Sequence, residues 1–186
     1  MHTSHSAAPE QLNGLAHLAA KVTLDETKDR ERRQANVAVF GFAEPKTSEK
    51  VAAQKEDKDE FIKLFKNEMK LNLDVETVYR LGKQEPGKLR PLIVRLSSVA
   101  AKYDLLKHAK NLRNSTNAEV QKIYIRPDLT KGQLQESKQL REELKTTKDN
   151  NPGKWFTIRR SRIVELDEKP KNWRQNQDMA VRTGSP

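Results

Sequence analysis

Between residues 36 and 127, four short β-rich runs alternate with two helical patterns, and that order leaves few folds open. Val37-Ala38-Val39-Phe40, closed by Gly41, reads as a strand. After a polar loop, Asp57-Lys58-Asp59-Glu60 resembles a capping box with an acidic first turn, and Phe61, Leu64, Phe65 and Met69 then mark one helical face. Val75 to Leu81, ended by Gly82, and Pro91 to Leu96 read as two further strands, with Gln84-Glu85-Pro86-Gly87 as the turn between them. Ser98 is placed to cap a second helix through Arg113, whose Leu105, Leu106, Ala109 and Leu112 form an inward face. Ile123 to Arg126 is a last strand, halted by Pro127. The order β, α, β, β, α, β predicts an α+β, ferredoxin-like domain: a four-stranded antiparallel sheet on two helices, with its other face open and its first strand between the third and fourth.

The rest of the chain has too little apolar content for a second core of that size. Only 34% of the 186 residues are hydrophobic, so the core is concentrated in part of the chain. We divide the sequence into an N-terminal amphipathic helix or linker at 1–35, the domain at 36–127, a small helix-hairpin element at 128–168 and a disordered basic tail at 169–186. In the first segment, Leu12, Leu15, Ala19 and Val22 recur at helical steps after Pro9, a stripe compatible with a coiled-coil remnant and with self-association. The absence of cysteine excludes disulfides and thiolate chemistry, and no apolar run is long enough to cross a bilayer. No membrane partner is expected, and an intracellular location is the default.

The formal charge is +10, and its distribution is uneven. Residues 1–43 are balanced and 44–76 hold seven basic against nine acidic side chains, whereas 88–126 hold nine basic against two acidic. A surplus clustered on one folded element makes a polyanion site, while an even spread mainly aids solubility. Alternation then assigns faces to the strands. With Val37, Val39, Leu92, Val94, Leu96, Ile123 and Ile125 packed on the helices, Ala38, Phe40, Ile93, Arg95, Tyr124 and Arg126 face outward. Applied to the second strand, the same rule gives Tyr79 and Leu81 in and Arg80 out. Phe40 would lie beside Tyr124, with Arg95 and Arg126 nearby. Rings that stack bases among guanidinium groups that hold phosphates suit single-stranded nucleic acid. The alternative is that the following segment covers Phe40 and Tyr124 as a second small core.

Arg32-Arg33 followed by NVAVFGF and Glu44, then YRLGK at 79–83, RPLIVRL at 90–96, AKNLR at 109–113 and YIRPDLT at 124–130, resembles the first-open-reading-frame proteins of non-LTR retrotransposons. Those proteins join a coiled coil, an RNA-recognition-motif-like domain and a small C-terminal domain, and act as RNA-binding nucleic-acid chaperones. The resemblance spans about residues 32–166. It implies that Arg80, Arg90, Arg95, Lys107, Lys110, Arg113 and Arg126 contact RNA, with Lys83 beside them, in a cytoplasmic or nuclear ribonucleoprotein. Two departures stand out. Ala38, Pro91 and Ile93 occupy positions where an ordinary RNA-recognition motif places aromatic rings, which favours a phosphate-led, sequence-tolerant mode. The family's long N-terminal coiled coil is missing or reduced to residues 10–33, so trimerisation does not carry over.

Asp128-Leu129-Thr130 is expected to open a helix through about Lys148, with Leu134, Leu140 and Leu144 as a partial apolar face. Asn150-Asn151-Pro152-Gly153 breaks it. Trp155 to Arg159 and Arg162 to Leu166 read as two strands around Arg160-Ser161, although a tight hairpin prefers Gly or Asn there. Arg159, Arg160 and Arg162 join the candidate nucleic-acid contacts, and Trp155 reads as hairpin core. His2, His5 and His108 read as surface residues, and the carboxylates Glu56, Asp57, Asp59 and Glu60 as helix initiation rather than a metal cluster. No Gly-rich phosphate loop, catalytic constellation or metal-ligand spacing is present, so an enzyme is the least supported class and no cofactor is expected. The leading expectation is binding of single-stranded RNA or DNA. The competing one is a protein-interaction module using the open sheet or the 128–148 helix.

Overall fold

A computed structural model describes residues 9–168, with side chains from residue 13 onward. The 169–186 tail, His2, His5 and the side chain of Leu12 therefore lie outside the described residues. The chain divides between Thr130 and Lys131 into two compact units.

The first unit carries α1 (Pro9–Arg33), β1 (Asn36–Phe40), α2 (Lys50–Met69), β2 (Val75–Arg80), β3 (Leu92–Leu96), α3 (Val99–Ala109), a 3-10 turn (Lys110–Asn114), α4 (Ala118–Gln121) and β4 (Tyr124–Pro127). The strands form one antiparallel sheet in the order β2-β3-β1-β4, so β1 lies between β3 and β4. Its apolar face supplies Val37, Val39, Val78, Leu92, Val94 and Ile125 to a core closed by Phe61 and Phe65 of α2 and Leu105 of α3, with Leu112 just beyond. Burying side chains of this size contributes about 1.5–3 kcal/mol each, and this is the main favourable contribution to the unit's stability.

Local chemistry accounts for most element ends. Ser98 caps α3 as expected, its hydroxyl accepting from the Ala101 N–H at 3.1 Å. The second helical pattern does not run through Arg113 as one helix. It tightens into the 3-10 turn, and a further short helix, α4, follows with Asn117 as its cap. The start of α2 also differs from expectation. Glu49, not the acidic run at 57–60, is the cap, and its carboxylate accepts from the Val51 and Ala52 N–H groups. Asp57 is thereby freed from a capping role and lies mid-helix, in line with Phe61 and Phe65 on the buried face. The β2-β3 connection turns at Glu85-Pro86-Gly87-Lys88, closed by the Lys88 N–H on the Glu85 carbonyl. Gly87 takes φ +75°, the left-handed value that the third position of a type II turn requires. At Gly41 the demand is steric as well: a Cβ there would meet the Lys122 carbonyl oxygen at 2.6 Å.

Strand β2 holds the main surprise. Its pairing with β3 slips between Val75 and Thr77, a β-bulge. An inserted residue reverses the in-out alternation downstream. Val78 therefore joins the core, Arg80 follows it inward, and Tyr79 stands opposite Ile93 on the other face.

The second unit consists of α5 (Lys131–Asn150) packed on the hairpin of β5 (Trp155–Arg159) and β6 (Arg162–Leu166). The helix begins at Lys131 rather than Asp128, because Asp128 and Thr130 are buried in the first unit. Trp155 is half-buried and pairs with Leu166 at the base of the hairpin. At the tip, Arg160 and Ser161 adopt φ +49° and +57°, both left-handed. A two-residue hairpin needs that backbone, and L-residues other than glycine adopt it at about 1–2 kcal/mol each. Replacing Arg160-Ser161 by Asn-Gly should stabilise this unit by about 1–2 kcal/mol, seen as a higher melting temperature. An unchanged or lower midpoint would contradict the strain argument.

Candidate nucleic-acid interface

The sheet face turned away from the helices is built by the residues that alternate with the core positions. One cross-strand row runs Tyr79, Ile93, Ala38, Arg126, as the three strand pairings give it. The next pairs Phe40 with Tyr124, and continuing the register brings Leu81 and Pro91 alongside, where the Leu81 N–H donates to the Pro91 carbonyl. Phe40 and Tyr124 lie with ring centroids 6.2 Å apart and planes inclined by 37°, and the Arg126 guanidinium sits 4.7 Å above the Phe40 ring. Tyr124 is 43% exposed and Tyr79 40%, so each presents an accessible ring. Between them Ala38 and Ile93 are buried. The face is therefore open at its flanks and closed along its centre.

The opposite end of this face is bounded by a polar cluster. Asp128, the next outward residue after Arg126, accepts from Arg33 at the end of α1 and from the Asn36 side chain, each at 3.2 Å. Thr130 donates its hydroxyl to Glu26 of α1. Lys102 of α3 is buried with its ammonium on the Gln34 carbonyl at 2.8 Å, and burial holds its pKa below the ordinary value against the opposing charge of Asp128. These contacts involve the C-terminal turns of α1, while Leu15, Leu18 and Val22 remain exposed.

The candidate basic residues separate into two groups. Arg80 and Arg90 were expected to contact RNA; in the structure both are ion-paired within their own domain, Arg80 with Asp57 and Arg90 with Glu44. The bulge turns Arg80 inward, where its side chain is only 5% exposed. All five of its N–H donors are engaged: Nε and Nη2 on the two oxygens of Asp57 at 3.0 and 2.6 Å, Nη1 on the Phe42 and Arg90 carbonyls at 3.0 and 2.9 Å, and Nη2 also on the Ala43 carbonyl. No donor is left for a phosphate. Arg90 forms an ion pair with Glu44 at 2.7 Å, and the Glu44 carboxylate also accepts from the Arg90 backbone N–H. Burial pushes the Glu44 carboxyl up, but the hydrogen bonds from Arg90 and the charges of Arg80 and Arg90 outweigh it and hold the pKa below its ordinary 4.5.

That shift has a definite sign. A carboxyl with a depressed folded-state pKa contributes stability that is present above its unfolded value and lost as pH falls through the folded one. The wild type should therefore lose more stability than Glu44→Gln as pH drops below about 4.5, measured by urea unfolding at each pH. Parallel acid profiles would remove Glu44 from the account.

The second group is accessible. Arg126 lies over Phe40, and Arg95 is half-exposed in a 2.7 Å surface pair with Glu76 that solvent screens. Lys83, Lys107, Lys110 and Arg113 are exposed, and none has an ion-pair partner among the described residues. Lys107 and Lys110 are three apart at the end of α3, and Lys110 and Arg113 three apart in the 3-10 turn where such positions eclipse, so the three form one row. In the second unit, Arg159, Arg160 and Arg162 surround the exposed hairpin tip. His108 caps its own helical turn on the Asp104 carbonyl at 2.8 Å. Of the acidic run, Glu56 accepts from the Lys46 and Thr47 N–H groups and Asp57 holds Arg80, so both have structural duties.

Tyr79 and Leu81 are the outward residues that the sequence reading placed inside. The signal that could have found them is the spacing of Val75 and Val78: two core valines three apart in a strand require an inserted residue. No family model and no curated protein matches the chain.

Proposed function

We propose that residues 36–127 form a ferredoxin-like, RNA-recognition-motif-like domain that binds single-stranded nucleic acid, RNA in particular, with little regard to sequence. Support for that fold comes from α2 and α3 packed on one face of a single four-stranded sheet, with the main elements in the order β, α, β, β, α, β and with β1 and β3 central. The observation that carries the binding reading is the exposed Tyr124 ring beside the half-buried Phe40, with the Arg126 guanidinium over Phe40, on a domain where Lys83, Lys107, Lys110 and Arg113 are exposed without an ion-pair partner among the described residues. Rings accept any base on their faces, and arginines and lysines take the phosphates. The lack of side-chain amides or carboxylates among these rings argues for stacking rather than base-edge readout. By its resemblance to retrotransposon first-open-reading-frame proteins, the chain would act in a ribonucleoprotein as a nucleic-acid chaperone, without an enzymatic step of its own.

Anisotropy titration of labelled single-stranded oligonucleotides of different sequence tests the reading. Similar affinities across sequences are expected, with weaker binding to a blunt duplex whose bases cannot reach the rings. Strong preference for one sequence would contradict sequence tolerance. Failure to bind any oligonucleotide, together with a protein partner retained after nuclease treatment, would replace it with the interaction-module reading.

A further inference from the structure

The outer face offers a third ring that the four-strand alternation alone would have hidden. Tyr79 lies on the edge strand β2, in the same cross-strand row as Arg126 on the opposite edge strand β4. Three strand spacings separate them, about 14 Å. The two residues between, Ile93 and Ala38, are 1% and 5% exposed, so no base can stack on the centre of the row. Tyr79 also lies within the fields of one cluster of paired charges, Asp29 and Asp128 with Arg32 and Arg33. Cations already paired with carboxylates leave little for a phosphate to take, which suits a neutral base better.

Resting on the binding reading above, we propose that Tyr79 is a second base platform and that one nucleic-acid strand crosses the sheet from β4 to β2, stacking at its two flanks and bridging the closed centre. The occupant is a single strand, because a paired base cannot lay its face on either ring. Two platforms separated by a gap make a specific prediction about length. Oligonucleotides too short to span about 14 Å engage only one flank, while longer ones engage both and gain affinity in a step.

The test is a series of oligothymidylates of increasing length, titrated against wild type, Tyr79→Leu and Tyr79→Phe in the full chain. Leucine keeps apolar cover on the sheet without an aromatic face, and phenylalanine keeps the ring, so a folding defect would appear in the circular dichroism melts of either variant. Wild type and Tyr79→Phe should show the affinity step. Tyr79→Leu should match them on the shortest oligomers and fall about 5- to 150-fold behind on the longer ones. Equal binding by wild type and Tyr79→Leu at every length would overturn the second platform while leaving the functional reading intact. An equal loss at all lengths would overturn the two-flank path. No binding by wild type at any length would remove the functional reading and this inference together.

Discussion

Arg80→Ala is expected to destabilise the first unit by about 3–5 kcal/mol, the usual cost of leaving one member of a buried ion pair without its partner. The Asp57 and Arg80 side chains are 4% and 5% exposed, and removing the guanidinium strands a buried carboxylate and three backbone carbonyls at once. Those carbonyls belong to the segment after β1 and to the entry of β3, so Arg80 ties α2, the 42–43 loop and the β2-β3 hairpin to one point. With domain stabilities of about 5–15 kcal/mol, a loss of that size brings the unit close to unfolding. Arg80→Lys should recover little, since an ammonium has three donors on a flexible stem and cannot reproduce a planar fork. Arg80→Met combined with Asp57→Leu should be much less damaging than either single change, because no charge remains buried. Urea unfolding of the wild type, Arg80→Ala, Arg80→Lys, the single changes Arg80→Met and Asp57→Leu, and their double variant measures this, and a loss under 1 kcal/mol for Arg80→Ala would contradict the five-bond arrangement. Any defect of Arg80→Ala in nucleic-acid binding would then reflect unfolding, not a lost contact.

At the interface, Tyr124→Ala and Arg126→Ala should both weaken binding but differ in how salt affects them. Tyr124 is 43% exposed, so its removal costs little packing, and loss of a stacked base costs about 1–3 kcal/mol of binding free energy. Stacking releases no counterion, so the dependence on salt should keep its slope. Arg126→Ala removes the cation above Phe40 and, on the proposed reading, a phosphate contact, so its log-log salt slope should fall by about 0.7. Both losses should be similar across sequences. If the two variants change the salt slope alike, the division of labour between ring and guanidinium is wrong.

Much of this arrangement was legible in the amino-acid order because each element announced itself locally. Phe61 and Phe65, Leu105 and Leu112, and the apolar sets of β1, β3 and β4 occupy the core as their periodicity implies. Ser98 caps its helix, and the Pro86-Gly87 turn closes as its residues demand. Reading failed where a long-range interaction overrode a local pattern. Asp57 looked like a helix start because an acidic run suits a helix dipole, yet its partner is 23 residues away, and nothing local marks a buried pair. Arg80 looked outward because alternation was extended through a bulge. Asp128 looked like a helix opening, but it is held by Arg33 and Asn36 from the other end of the domain. At the candidate site, Phe40, Tyr124, Arg95 and Arg126 were assigned to the outward face by alternation and lie there. Tyr79 was missed for the same reason that Arg80 was misplaced.

The central claim is that exposed cations and rings of this chain hold a single-stranded polyanion, and one salt titration tests it most directly. Affinity for a labelled single-stranded oligonucleotide should fall linearly on log-log axes as salt rises, with a slope of about −0.7 for each phosphate neutralised. Affinity that does not change with salt, or no measurable affinity at low salt, would contradict it.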